Sequence, residues 1–209
     1  MTVLLTRLSQ GLNQLNLSLD NEQIEKLHEL LVQLLKWNKA YNLTAISDEY
    51  EALKLHLLDS LAVVPYWHFA TTLDVGTGPG FPGLPLAIAK PDLEFHLLDS
   101  NSKKIRFIRQ QVHSLGLNNV EAHHCRVEDH QSTGYQAIVS RAFASLKDMV
   151  TLSEHLLAED GRWMAMKGVY DQAETAALPS QVLIESVNPL SVPGLNAERC
   201  LITLKRSNH

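Results

Sequence analysis

The chain has 209 residues, 45% of them hydrophobic, and a formal net charge of −5. It can therefore bury a sizeable core, but it has no overall positive field that would attract nucleic acid. No apolar run approaches the roughly 18 residues that a membrane span needs. The start lacks a signal peptide, and the two cysteines, Cys125 and Cys200, cannot form a disulfide scaffold. We therefore expect a cytoplasmic protein without a membrane partner.

The first 66 residues are predicted to form a helical extension to a strand-containing unit at 67–209. Asp20 and Gln23 give a capping-box pattern before apolar residues at helical spacing, and Asp48 gives a second helix start. Between these helices, residues 37–44 carry more amides and aromatic side chains than a connector needs. No long exposed apolar helix face demands a partner, so we expect a monomer folded as one compact unit.

From residue 71 onward, short apolar runs alternate with helical patterns, which predicts parallel strands with helical crossovers. The first five predicted strands lie at about 72–75, 94–98, 120–124, 137–140 and 162–166, with Ser102 capping the helix after the second and a helix over roughly 146–157. Two last strands, about 181–188 and 199–205, are joined by a segment too short for a helical crossover, so they should pair antiparallel. The predicted fold class is α/β, a Rossmann-like sheet that closes on an antiparallel hairpin.

The first predicted strand enters a glycine-rich turn, and the second ends in a carboxylate. Gly76, Gly78 and Gly80 alternate directly after this first strand, and Asp99 closes the next one. Glycines let the backbone approach a ligand closely, and an acid at this strand end can accept hydrogen bonds from ribose hydroxyls. An ordinary turn and a helix-capping Asp99 are the alternatives. The pattern favours a cofactor that carries a nucleoside.

The sixth position of the glycine pattern helps to identify this cofactor. A nicotinamide or flavin fingerprint needs G-x-G-x-x-G/A, whereas this chain has Phe81 at the sixth position. Dinucleotide-binding sheets also finish on a sixth parallel strand rather than on a hairpin. Both features favour S-adenosylmethionine (SAM) over a dinucleotide.

The ends of the third and fourth predicted strands supply further candidates. Arg126, Val127 and Glu128 follow the third strand, where this fold normally contacts adenine; a solvated charged loop is the alternative. Arg141 ends the fourth strand within the segment 140–143, at the point that faces the methyl group in this architecture. An arginine at a buried strand end needs a partner, which favours a functional position for Arg141.

Two polar clusters are interpreted as structural. Residues 123–125, His-His-Cys, are not expected to bind a metal, because neighbouring strand residues point to opposite faces and no second ligand pair follows at finger-like spacing. One helical face carries His56, Asp59 and Ser60, but they do not have the arrangement of a catalytic triad. This favours roles in packing and capping.

The helix after the second strand carries a basic face. Lys103, Arg106 and Arg109 fall three residues apart, and Lys167 could extend the same charge. A solvated helix face is one interpretation. The other is a local RNA contact, which would supply the positive patch that the net charge does not.

The residues at the end of the fourth strand also restrict the methyl acceptor. They lack the Asp/Asn-Pro-Pro-aromatic run of enzymes that methylate amino groups, and neither cysteine has the Pro-Cys context of a nucleophile that attacks a ring carbon. A ring nitrogen with an exposed lone pair, such as guanine N7, needs only alignment in a dry pocket. We therefore expect in-line displacement without a catalytic acid or base.

Six segments together resemble the bacterial 16S rRNA guanine-N7 methyltransferases of the RsmG/GidB family, over nearly the whole chain. The segments are 36–44, 56–60, 74–80, 97–100, 140–146 and 166–168. The resemblance implies methyl transfer from SAM to N7 of guanine 527 of 16S rRNA, in the small ribosomal subunit or its precursor.

The same resemblance implies site residues. Cofactor contacts are implied for Gly76, Phe81, Val127, Glu128 and Arg141, although Phe81 stands where an aliphatic residue would be expected. Asn38 and Asn42 would lie near the mouth of the site. Adding the basic face, the expected RNA contacts are Asn38, Asn42, Lys103, Arg106, Arg109 and Lys167.

Three other functions stay open at this point. A non-catalytic ribosome-assembly factor could bind SAM as a structural ligand, and a turnover assay would separate it from an enzyme. A dinucleotide oxidoreductase is disfavoured by Phe81 and the closing hairpin. A methyltransferase acting on another acceptor is compatible with the fold alone.

Overall fold

The structure, a computed structural model, describes residues 3–141, 143 and 145–207. Its first part is helical, as predicted. The elements are α1 Val3–Gln14, α2 Asn21–Tyr41, α3 Glu49–Ala52, a π-helical stretch Leu53–Leu58, α4 Asp59–Leu61 and a 3-10 turn Val64–Tyr66. Within the described ranges, no helix is long and apolar enough to cross a membrane.

The predicted start of α2 is confirmed in detail. The Asp20 carboxylate accepts a hydrogen bond from the Gln23 backbone N–H, and the Gln23 side chain accepts one from the Asp20 N–H. At the other end, Asn42 caps the helix in the left-handed conformation, with φ 51°. Asp48 caps α3 by accepting from two backbone amides. The segment between Asn42 and Asp48 is thereby fixed at both ends.

The second part is a seven-stranded sheet in the order β3-β2-β1-β4-β5-β7-β6. The strands are β1 Thr71–Val75, β2 Glu94–Asp99, β3 Val120–His124, β4 Tyr135–Ser140, β5 Leu157–Lys167, β6 Val182–Pro189 and β7 Cys200–Arg206, with helices α5 Gly83–Ala89, α6 Ser102–Ser114, α7 Leu146–Ser153 and α8 Gln172–Ala176. The first five strands are parallel, and β7 runs antiparallel to both β5 and β6. The predicted fold class and the closing hairpin are confirmed.

Three element boundaries differ from the predictions. Ser102 is the first residue of α6 rather than its cap, because the Asn101 side chain accepts the capping hydrogen bonds from Lys103 and Lys104. Helix α7 ends at Ser153, followed by a 3-10 turn, and β5 begins five residues early, at Leu157. The early start pairs Leu157 with Tyr135 of β4 across a shift in register.

The helical extension shares its core with the sheet. Buried leucines of α2, among them Leu31 and Leu34, belong to one continuous apolar cluster with Leu97 of β2 and Phe107 of α6. The Trp37 ring also packs edge-on against Phe107, with 5.6 Å between centroids. A second apolar cluster lies on the α7 face of the sheet. This packing brings the α2–α3 segment and the π-helical stretch to the carboxyl ends of the central strands.

Candidate active site

The glycine turn after β1 has the backbone that the sequence predicts. Gly76, Gly78 and Gly80 have φ of 66°, 63° and 99°, which side chains disfavour. A Cβ atom on Gly78 would meet nothing within 4 Å, so the turn is open there. A Cβ on Gly80 would clash with the Leu84 side chain, so that glycine allows α5 to pack closely. The two glycines therefore serve different purposes.

Asp74 anchors this turn from below. Its Oδ2 accepts hydrogen bonds from the Thr77 hydroxyl at 2.6 Å and from the Gly83 N–H at 2.8 Å. Its Oδ1 is buried and has no hydrogen-bond partner among the described residues. Burial disfavours the charged form and raises the pKa of Asp74 to about 6, although the two hydrogen bonds oppose the rise. Asp74 shapes the turn and is sealed from solvent.

A cleft of about 220 Å³ opens between the glycine turn and the ends of β2 and β3. Asp99 lies at its floor: Oδ2 accepts from the Gly78 N–H at 2.9 Å, and Oδ1 accepts from the Asn101 N–H at 2.8 Å. The lining is Val75, Gly76, Leu98, Asp99, Ser100, Cys125, Arg126, Val127, Glu128 and Phe143. We call this the glycine-turn cleft.

The chemistry of the glycine-turn cleft suits a nucleoside. A fixed carboxylate at its floor can accept hydrogen bonds from two ribose hydroxyls. Leu98 and Val127 offer apolar contact for a flat base, and Glu128 offers a polar group at its rim. The open space above Gly78 leaves room for the remainder of such a ligand. The donor set therefore fits a nucleoside cofactor of the predicted type.

A second cleft, of about 480 Å³, opens at the end of β4 and is lined by positively charged side chains. Its lining is Ile46, Leu55, His56, Asp59, Arg141, Met166, Lys167, Gly168 and Arg199. Arg141 donates from Nη1 to the Leu55 carbonyl at 3.0 Å and to Asp59 Oδ2 at 2.9 Å. The other oxygen of Asp59 accepts from Arg199 Nε at 3.1 Å. We call this the arginine cleft.

Two residues of the arginine cleft connect it to the elements around it. The His56 ring packs against Phe81 of the glycine turn, with 5.1 Å between centroids, and its Nε2 is 2.9 Å from Thr44 Oγ1. Burial, and then the Arg141 charge, lower the pKa of His56 to about 4, so the ring is neutral near pH 7. Lys167 Nζ forms an ion pair with Glu174 at 3.0 Å.

The structure separates the predicted cofactor residues into two groups. Gly76, Asp99, Val127 and Glu128 line the glycine-turn cleft, and the Gly78 N–H binds Asp99 at its edge. Phe81 is only 2% exposed and is not part of that lining, and Gly80 packs against α5. Arg141 lines the arginine cleft instead.

The predicted RNA contacts also fall into distinct settings. Lys103, Arg106 and Arg109 are exposed on α6, where Arg106 lies over the Tyr41 ring and Arg109 donates to the Ala122 carbonyl. Asn42 is exposed at the end of α2, and Lys167 lines the arginine cleft. The three residues of α6 and Asn42 are therefore open to a large ligand, whereas the Lys167 side chain is 17% exposed.

Asn38 is different, because it is buried and both ends of its amide are engaged. Nδ2 donates to the Ile46 carbonyl at 3.2 Å, and Oδ1 accepts from the Thr44 N–H at 2.9 Å. The side chain is 8% exposed. Asn38 therefore holds the segment after α2 in place, and the sequence-based expectation that it touches RNA is not supported by this geometry.

The roles of Asp59 and Arg199 were not predicted from the sequence. Asp59 was expected to be a packing or capping residue, whereas its carboxylate binds two arginines. Arg199 lies 140 residues further along the chain, in the approach to β7. The one available signal was the rule that a buried arginine needs a partner, which pointed from Arg141 to an unidentified acid.

Comparison with known proteins identifies the family of this chain. A family model described as "GidB: rRNA small subunit methyltransferase G" matches residues 23–203. Proteins named ribosomal RNA small subunit methyltransferase G from Idiomarina loihiensis and Chromobacterium violaceum are 51% and 50% identical to this chain. The alignments cover 93% and 98% of this chain, and 95% and 99% of the two relatives.

Among solved structures, a SAM-dependent methyltransferase from Aquifex aeolicus is similar with a TM-score of 0.58 at 16% identity. The match covers 74% of this chain and 92% of that protein, and at such low identity it supports the fold alone. The family model and the two relatives, in contrast, cover most of the sequence. The chain therefore belongs to the GidB family, that of rRNA small subunit methyltransferase G.

Proposed function

We propose that this protein transfers a methyl group from SAM to N7 of guanine 527 of 16S rRNA. As a GidB family member it is a SAM-dependent rRNA small subunit methyltransferase. The observation that carries the proposal is that the two clefts open at the ends of the neighbouring strands β1 and β4. Val75, at the end of β1, lines the glycine-turn cleft, and Arg141, directly after β4, lines the arginine cleft. Ser140 Oγ donates a hydrogen bond to the Val75 carbonyl at 2.8 Å, so a bound cofactor and a bound acceptor would lie next to each other.

The glycine-turn cleft would hold SAM. Asp99 would accept the ribose hydroxyls, since both of its oxygens are already oriented by backbone amides. Val127 and Glu128 would contact adenine through an apolar side chain and a polar edge. Gly78 would let the backbone lie against the ligand. When bound, SAM supplies an electrophilic methyl group.

The arginine cleft would receive the target nucleotide. Arg141, Arg199 and Lys167 place three cationic side chains around one opening, which suits the phosphates that flank a base. Arg141 is held by Asp59 and the Leu55 carbonyl, so its position is fixed before RNA arrives. It acts as a positioning residue.

The proposed reaction does not require a side chain that accepts a proton. Guanine N7 carries a lone pair and no hydrogen, so in-line displacement needs alignment and exclusion of water. The ionisable groups nearby agree with this. The His56 ring has a lowered pKa and lies between Thr44 and Phe81, and Asp74 is sealed below the turn.

The RNA partner would extend over α6. Lys103, Arg106 and Arg109 form an exposed basic row on a chain whose net charge is −5, so this row gives the local attraction that the whole protein lacks. Asn42, exposed beside Tyr41 and Arg106, would lie along the same path.

The proposal is tested by incubating the protein with methyl-labelled SAM and small subunits from cells that lack the enzyme. We expect about one label per subunit in 16S rRNA, and little on subunits from cells that carry the enzyme. Binding of SAM without incorporation would overturn the proposal in favour of an assembly factor. Label in RNA at another base would point to a different acceptor.

A further inference from the structure

Histidines and glutamates gather on the outer part of the sheet, away from the arginine cleft. In the parallel pairing of β2 with β3, His96 lies opposite Glu121, and His123 lies opposite Leu98. Since side chains two residues apart share a face, His96, Glu121 and His123 project from the same side of the sheet. Their nitrogen and carboxylate oxygen atoms lie within 4.8 Å of one another.

The three side chains of this cluster lie in close contact with one another. His96 Nδ1 is 2.9 Å from His123 Nε2, and the two rings are stacked 7° from parallel. His96 Nδ1 is 3.8 Å from Glu121 Oε2, and His123 Nδ1 is 3.8 Å from Glu121 Oε1. Both imidazole side chains are mostly buried, at 12% and 16% exposure, whereas Glu121 is 66% exposed.

A second carboxylate orients one of the two rings. His96 Nε2 is 2.9 Å from Glu94 Oε1, so Nε2 carries the proton that this hydrogen bond needs. The Nδ1 lone pair of His96 is then directed at His123. A carboxylate that holds the far nitrogen of an imidazole is the usual support of a metal-binding histidine. The His96 ring is also packed edge-on against Tyr135, 5.0 Å between centroids.

We propose that His96, Glu121 and His123 bind one zinc ion, with water as the fourth ligand. Imidazole nitrogen suits zinc, copper and nickel, and two histidines with one carboxylate form a common zinc set. With bonds of about 2.0–2.2 Å, tetrahedral ligand atoms lie roughly 3.3 Å apart. His96 Nδ1 is 2.9 Å from His123 Nε2 and 3.8 Å from Glu121 Oε2, which brackets that value. All three ligand atoms lie within 4.8 Å of one another, so side-chain adjustment would admit the ion.

This proposal differs from the expectation from the sequence that residues 123–125 do not bind a metal. That expectation considered only the run 123–125, in which adjacent residues point to opposite faces. The missing partners come from strand pairing, because the register places His96 beside His123 although they are 27 residues apart. Local spacing cannot reveal a site that two strands build together.

The proposal is tested by titrating the full-length, chelator-treated protein with ZnCl₂ alone in a calorimeter. We expect one ion per chain, and a loss of affinity of at least about 30-fold in His123→Gln, with about 10-fold in Glu94→Gln. Glu121→Gln should weaken binding without disturbing the fold, because that side chain is largely exposed. The matched control is His124→Gln, which removes a neighbouring exposed histidine bound to the Ser100 carbonyl.

A second measurement distinguishes loss of zinc binding from loss of the fold. Bound zinc should raise the melting temperature of the wild type but not that of His123→Gln, whose metal-free melting curve and SAM affinity report on its fold. Retained affinity in both His123→Gln and Glu121→Gln would overturn the proposal. So would the absence of one-to-one binding in the wild type, which would leave the cluster as a hydrogen-bonded histidine pair.

Discussion

Arg141 and Asp59 form an ion pair between the end of β4 and the start of α4, with 2.9 Å between Nη1 and Oδ2. The side chain of Asp59 is 6% exposed and holds Arg199 with its other oxygen, at 3.1 Å. One buried carboxylate therefore fixes two guanidinium groups at the border of the arginine cleft. Charged side chains that are already held in position need little reorganisation when a ligand binds.

Arg141→Ala should abolish methyl transfer while the protein stays folded. Asp59 keeps Arg199 as a partner in this variant, so the buried carboxylate is not left without a cation. We expect the transfer rate to fall by at least about 100-fold, as loss of a positioning group does. Labelled-methyl incorporation measures the rate, and circular dichroism reports the fold.

Arg162→Ala is the matched control for this change. Arg162 pairs with Glu185 across β5 and β6 and lines neither cleft. Its loss should leave the transfer rate within about twofold, as for a surface ion pair. An unchanged rate in Arg141→Ala would remove that residue from the site.

Gly78→Ala should weaken SAM binding far more than Gly116→Ala, although both changes strain the backbone equally. Both glycines have φ 63°, and a Cβ on either meets nothing within 4 Å. Each change should therefore cost about 1–2 kcal/mol of stability through the left-handed conformation. Only the Gly78 methyl group would occupy the space beside Asp99. Calorimetric titration with SAM should show at least about 10-fold weaker binding for Gly78→Ala; equal affinities would place the cofactor elsewhere.

RNA binding should depend strongly on salt, through the exposed row on α6. Replacing Lys103, Arg106 and Arg109 by Gln removes three charges, so the slope of log K against log salt should fall by about 2. The measurement is filter binding to 16S RNA across a salt series. Gln at Lys26, Arg162 and Lys205 removes the same charge from other elements and should leave the slope unchanged. A flat salt profile in the wild type would make the row an ordinary solvated face.

The free energy of unfolding should fall as the pH rises through about 6, because the buried Asp74 carboxyl then loses its proton. Burial raises the pKa of this carboxyl from 3.8 to about 6, so the folded protein binds the proton more tightly than the unfolded chain. This contribution to the free energy of unfolding is complete below the pKa of Asp74 in the unfolded chain. It is lost as the pH rises above the pKa in the folded protein. Between pH 4 and 7 it amounts to about 2–3 kcal/mol.

Asp74→Asn removes this titration and isolates the effect. Urea unfolding at pH 4.5 and 7 should show a smaller pH-dependent loss for the variant than for the wild type, with His56 titrating equally in both. The opposite sign, or identical pH dependence, would show that Asp74 is ionised throughout this range.

The sequence predicted those parts of the site that depend on local backbone. Gly76, Gly78 and Asp99 could be placed because a strand, a glycine turn and a second strand end are read from neighbouring residues. The closing hairpin followed from the short link between β6 and β7. These features are set by rules that act within a few residues of chain.

Features that depend on distant contacts were missed or misjudged. The pairing of Asp59 with Arg199, and of His96 with His123, joins residues far apart in sequence and depends on helix packing and strand register. Asn38 was expected near the mouth of the site, but its amide is buried and bonded to the backbone of Thr44 and Ile46 after α2. Phe81 follows the glycines directly, yet it turns into the core and packs on His56.

The most direct measurement of the central claim is to map the methylated base. Small subunits from cells without the enzyme would be methylated with labelled SAM, and the 16S rRNA cleaved chemically at 7-methylguanine and read by primer extension. The account predicts a single new stop at guanine 527, present with the wild type and absent with Arg141→Ala. Label that resists this cleavage, or a stop at another guanine, would contradict it.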